Sequence, residues 1–178
     1  MSPTATIEIP SYCGPMVGTN GATWPEAGHQ LLGELAMGRG RCALIAAELP
    51  AADRLVARLA GDLDLQVTRV GAALAVHERP PTPREVEVAC SSASILTDLD
   101  VLLWPALGVP LLPLLAALAR RRPVIAVWPG EITGQRARYS SPGRPDHHDV
   151  RLTDVVVLRP RNTRFPDEVP YEIERLTQ

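Results

Sequence analysis

The sequence predicts an α/β protein, a three-layer sandwich around a mainly parallel sheet, and three observations carry that reading. Short apolar runs recur at Arg41–Ala47, Val101–Leu103, Pro123–Val127 and Val155–Leu158, and runs of this length suit strands covered on both faces. Stretches between them carry apolar residues at helical spacing, as at Leu55, Val56, Leu59 and Leu63. The 178 residues contain no internal repeat. They suit one domain spanning residues 1–178, long enough to bury roughly 70% of its unfolded surface.

Taken in order, residues 1–25 hold Ile7, Ile9 and Val17 among Pro, Gly, Thr and Ser, which predicts an irregular N-terminal arm or one short strand. Pro25-Glu26 opens a helix through Leu31, Leu32, Leu35 and Ala36, and Gly38-Arg39-Gly40 ends it. Arg41–Ala47 reads as a central strand, and the turn Glu48–Arg54 feeds the next helix. Leu65–Val70 alternates and belongs near a sheet edge, while Gly71–Val76 either continues it or turns. After Pro80-Pro81-Thr82-Pro83, a helix runs through Val86, Val88, Ala89 and Ala93. Ile95–Leu103 reads as a strand with Asp98 and Asp100 near its amino end, solvated or capping.

Pro110–Arg122 is a helix with Arg120, Arg121 and Arg122 complementing its C-terminal dipole. A strand follows at Pro123–Val127. If Val101–Leu103 and Pro123–Val127 are neighbouring strands, Trp104 and Trp128 stand side by side at the carboxyl edge of the sheet, where α/β proteins place their chemistry. Ile132–Asp149 is a polar segment, and Arg151–Arg159 is the last strand. Residues 160–178 form a charged C-terminal tail whose large apolar residues Tyr171, Ile173 and Leu176 suit a short docking helix.

Composition excludes several chemistries. All 18 basic residues are arginine, so a mechanism that needs an ammonium group, whether a phosphate-loop lysine or a Schiff base, has no residue to use. A net charge of −2 supplies no general attraction for nucleic acid, although a local patch could. Cys13, Cys42 and Cys90 are odd in number and lack paired spacing, which fits a reducing cytoplasm and places Cys42 and Cys90 in the core. No basic start followed by an apolar run suggests a leader. Val101–Leu118, the most membrane-like stretch, is broken by Pro105, Gly108, Pro110 and Pro113. The chain therefore reads as cytoplasmic and without membrane contact.

The turn after the first strand decides whether phosphate can bind. A phosphate loop is glycine-rich and ends in Gly-Lys-Ser/Thr, so that backbone N–H groups close around oxygens. Here the turn is Glu48-Leu49-Pro50-Ala51-Ala52-Asp53-Arg54, with neither glycine nor lysine. The strand read as Ile95–Leu103 ends in Trp104-Pro105-Ala106, where an acidic residue would be needed for magnesium. Asp146-His147-His148-Asp149 is the one metal-like cluster, and adjacent histidines on a strand cannot face a single ion. No catalytic residue, cofactor or metal is assigned.

Trp128-Pro129-Gly130-Glu131, then Tyr139, Pro142-Gly143-Arg144-Pro145 and a terminal apolar strand, resemble the C-terminal part of the BrxF family, small P-loop proteins of the BREX bacteriophage-defence systems. Over residues 40–160 the order of elements is similar too. The resemblance implies a P-loop NTPase-like fold, here degenerate because both nucleotide motifs are replaced, and a phage-defence setting. Gly130, Glu131, Tyr139 and Pro142 match the family pattern and go to loop shape or partner contact.

The expected function is a non-catalytic structural or adaptor subunit of an antiphage complex, with Trp104, Trp128, Gly130, Glu131 and Tyr139 as candidate partner contacts. The alternatives are a nucleic-acid-binding module using Arg136, Arg138, Arg144 and Arg151 around Tyr139, or an ATP-binding protein or small hydrolase using Glu131 with His147-His148.

Overall fold

A computed structural model describes residues 26–37, 41–160 and 171–177, so the expected arm at 1–25, with Cys13, lies outside the described residues. The described chain runs α1 (Glu26–Met37), β1 (Cys42–Ile45), α2 (Leu49–Asp62), β2 (Val67–Arg69), α3 (Val70–Leu74), α4 (Pro83–Cys90), β3 (Ile95–Thr97), α5 (Leu111–Ala119), β4 (Val124–Val127), β5 (Glu131–Thr133), β6 (Arg136–Tyr139), β7 (His148–Arg151), β8 (Val155–Pro160) and β9 (Tyr171–Leu176). Six strands form the main sheet in the order β2-β3-β4-β1-β8-β9. All its pairings are parallel except β8 with β9.

Because side chains alternate along a strand, the central strands feed two cores. Ala43, Ile45, Ile125, Val127, Val156 and Leu158 pack on the side of α1 and α2, against Leu31, Leu35, Leu55 and Leu59. Cys42, Leu44, Val124, Ala126 and Val157 pack on the other side, against Val86 and Cys90 of α4 and Leu111, Leu115 and Leu118 of α5. This is a three-layer α/β arrangement. The buried Cys42 and Cys90 belong to it as expected, and burial pushes their thiols up to about 12 and about 11. The edge position of β2 also matches its alternating, half-exposed sequence.

Four expectations are corrected. The strand read as Ile95–Leu103 stops at Thr97, because Asp98 takes a left-handed conformation (φ 55°) and Leu99–Leu103 winds into a 3-10 turn. Leu99, Leu102 and Leu103 are still buried, which is why the run resembles a strand. Val70, read as the end of a strand, instead starts the short helix α3. The segment 132–149, read only as polar and without strands, forms most of a second, antiparallel sheet, β5-β6-β7. Finally, Tyr171–Leu176 is an edge strand on β8 and not a docking helix, with Arg175 Nε donating to Glu34 Oε2 of α1 at 2.9 Å.

The small sheet occupies the place of a crossover helix. Its chain leaves the carboxyl end of β4 and returns to Val155, which lies beside Cys42 at the amino edge, since Ala43 pairs with Val156 in parallel. Ile132, Ala137, Tyr139 and Val150 cover the same core as α4 and α5. Gly134 (φ 52°) opens the two-residue turn between β5 and β6, a position where such hairpins favour glycine.

Candidate functional site

The carboxyl ends of β1, β4 and β8 converge on a cleft of about 630 Å³, lined by residues 46–50, 128–133 and Arg159. In a nucleotide-binding α/β protein this is where the first strand would hand a triphosphate to a helix N-terminus. The helix start here offers few free donors. Pro50, in the first turn of α2, has no N–H, and the Ala51 N–H donates to the Glu48 carbonyl at 3.0 Å, as does that of Ala52 at 2.9 Å. Glu48 itself holds the N-cap position without a side-chain cap. Its carboxylate adds repulsion for an anion.

Trp128 closes the opposite wall. The indole is 2% exposed and its Nε1 donates to the Arg138 carbonyl at 3.0 Å, so it belongs to the core and has no surface to offer a partner. Gly130 follows where β6 comes close: a Cβ there would overlap the Arg138 carbonyl oxygen and come within 3.0 Å of Tyr139 Cα. The run Trp128-Pro129-Gly130 thus folds the small sheet down onto β4. Trp104, by contrast, is 62% exposed beyond the 3-10 turn. The expected pair of tryptophans at one edge is therefore not formed, since the residues before Trp104 are not a strand.

The carboxyl edge is not devoid of acid. With β3 ending at Thr97, Asp98 stands directly beyond a strand end, where the sequence reading placed Trp104-Pro105-Ala106. Its Cβ lies 3.4 Å from where a Cβ on Gly71 of α3 would sit, on the β2 side of β3, and it does not line the cleft beside Glu48. Thr97 Oγ1, buried next to it, has no hydrogen-bond partner among the described residues.

The arginine patch is partly assembled. Arg136 and Arg138 on β6 and Arg151 on β7 share the outer face of the small sheet, by the pairings Arg136↔Arg151 and Arg138↔Asp149. Asp149 answers two of them, accepting from Arg136 Nε at 2.8 Å and from Arg138 Nε at 3.3 Å. The Arg136 hydrogen bond holds the Asp149 carboxyl below its usual range against the opposing effect of desolvation. Arg151 donates to Gln135 Oε1, and Arg144 pairs with Asp146 in the β6–β7 connection.

Tyr139 faces the other way. It sits on the inner, core-facing side with its phenol pushed up by burial and then by Asp100 and Asp146, so it cannot stack beside Arg136 and Arg138. Glu131 lies on the outer face opposite Arg138 while His148 lies on the inner face, which separates the expected acid and base pair. His148 Nε2 donates to the Leu103 carbonyl at 3.1 Å and His147 Nδ1 to the Ser140 carbonyl at 3.2 Å. Among the described residues no group of three His, Cys, Asp or Glu is placed to hold a metal ion.

The sequence reading missed the Asp149 clamp and the closeness of Gly130 to β6. Both depend on strand pairings between residues some ten apart. No family model, curated protein or solved structure matches the chain.

Proposed function

We propose that the chain is a non-catalytic, P-loop-like structural or adaptor subunit of a cytoplasmic antiphage complex. The observation that carries the first half is the start of α2, where Pro50 has no N–H and that of Ala51 is taken by Glu48. Phosphate binding at a helix start needs those donors. The P-loop likeness is supported by strand order: β1, which carries the turn, and β3, which is followed by Asp98, flank the single strand β4. That spacing would let a phosphate turn and an acid serve one site. The defence setting rests on the resemblance of Trp128–Pro145 to the BrxF family. No helix among the described residues is long and apolar enough to cross a membrane.

Trp104 is the residue best suited to meet a partner, because it is the one large aromatic among the exposed hydrophobic residues described. Equilibrium binding of labelled ATP with magnesium, run beside a phosphate-release assay, tests the proposal. No saturable binding is expected, and micromolar affinity with turnover contradicts it.

A nucleic-acid-binding module has one observation in its favour, the three arginines on the outer face of the small sheet. It requires salt-sensitive association with DNA or RNA at low ionic strength, strengthened in Asp149→Asn. Absence of both removes it.

A further inference from the structure

A second cleft lies at the amino edge of the main sheet, opposite the carboxyl-edge site. It measures about 510 Å³, between one side of α5 and the segment leading into β8. Its floor is apolar, from Leu112, Ala116 and Ala119 at helical spacing. Its rim carries Arg41, Arg120 and Arg151, with Asp154 the one acid. The three cations are not equally committed. Arg151 donates to Gln135, a neutral partner, through Nε and Nη2, while the guanidinium groups of Arg41 and Arg120 have no hydrogen-bond or ion-pair partner among the described residues. The adjacent arginines are occupied: Arg121 pairs with Glu87, and Arg122 donates to the Cys90 carbonyl.

We propose that this cleft binds a small amphipathic carboxylate, its anionic end held by Arg120, Arg151 and Arg41 and its hydrocarbon body laid on Leu112 and Ala116. Charge complementarity sets the head group, since three guanidinium groups against one carboxylate leave an excess of positive charge. The apolar floor sets the body, because inorganic phosphate would leave it wet. The volume lies within the range of about 300–1,000 Å³ usual for small-ligand sites. Ala116 and Arg120 are exposed, so changing them tests the cleft without removing core.

The experiment titrates the full chain, isotopically labelled for NMR, with octanoate, with octanol and with inorganic phosphate. Octanoate is expected to give saturable amide shifts confined to residues 112–120, 151–155 and 41–42. Octanol and phosphate should each bind at least about tenfold more weakly, because each lacks one of the two recognised features. Arg120→Gln should weaken octanoate by a similar factor and leave octanol unchanged, and Ala116→Trp should abolish both by filling the floor. Octanol binding as tightly as octanoate, phosphate binding alone, or octanoate shifts outside these segments would each overturn the proposal.

Discussion

Trp128 shows how a single side chain shapes the carboxyl edge of the sheet. Its indole is buried, and its N–H satisfies the Arg138 carbonyl. Trp128→Phe should keep most of the packing but leave that carbonyl unpaired, at a cost of about 1–3 kcal/mol in urea unfolding. Trp104→Ala, at an exposed position, should stay within about 0.5 kcal/mol of the wild type. Equal losses at the two positions would contradict the assignment of one to the core and the other to the surface. Gly130 obeys the same logic at the backbone. A methyl group there meets the main chain of β6, which cannot give way as a flexible side chain would, so Gly130→Ala should lower stability by about 1–3 kcal/mol. A thermal melt unchanged by this substitution would mean that Gly130 and β6 do not approach as described.

Among the elements, α4 offers the clearest test of a local rule. Thr82 Oγ1 accepts from the Glu85 N–H at 3.3 Å, and the Glu85 carboxylate accepts from the Thr82 N–H at 2.7 Å, a capping box that Arg79 reinforces. The Arg79 hydrogen bond, followed by those from Thr82, holds the Glu85 carboxyl down to about 2 from 4.5. A lowered folded value favours the fold once the carboxylate is charged in both states. Its contribution is thus complete above about 4.5 and lost as pH falls towards about 2. Thr82→Ala should cost about 1 kcal/mol at neutral pH and flatten stability against pH in that window. An unaltered slope would show that the box does not act in solution.

The start of α4 at Thr82-Pro83 was legible in the sequence, because proline favours the first helical position, whereas the box through Glu85 was not read from it. Also legible were the buried strands β1 and β4, whose four residues each are apolar on both faces. The second sheet was harder to see, since its inward positions include Tyr139 and His148 beside Ile132, Ala137 and Val150, and the alternation is blurred by polar atoms. The hairpin signal lay in Gly134-Gln135 between Glu131-Ile132-Thr133 and Arg136-Ala137-Arg138. The 3-10 turn at Leu99–Leu103 was hidden for a different reason. Apolar content reports burial, and nothing in composition distinguished a buried turn from a strand until Asp98 was seen in its left-handed conformation.

At the scale of the whole molecule, the parallel sheet brings the ends of β1 and β4 together, and the small sheet then builds a wall over them. The make-up of the turn after β1, with Pro50 and without glycine, could be read from sequence because it depends on the residues alone. The burial of Trp128 could not, because it depends on β6. Together these features put protein packing at the carboxyl edge, where α/β proteins place their ligands, with the acid Asp98 left outside the cleft. Recording the amide spectrum of the full chain while adding ATP and magnesium tests that account most directly. Amides of Ala46–Ala52 and Asp98 should remain unshifted up to millimolar nucleotide, and saturable micromolar shifts confined to those residues, accompanied by phosphate release, would contradict it.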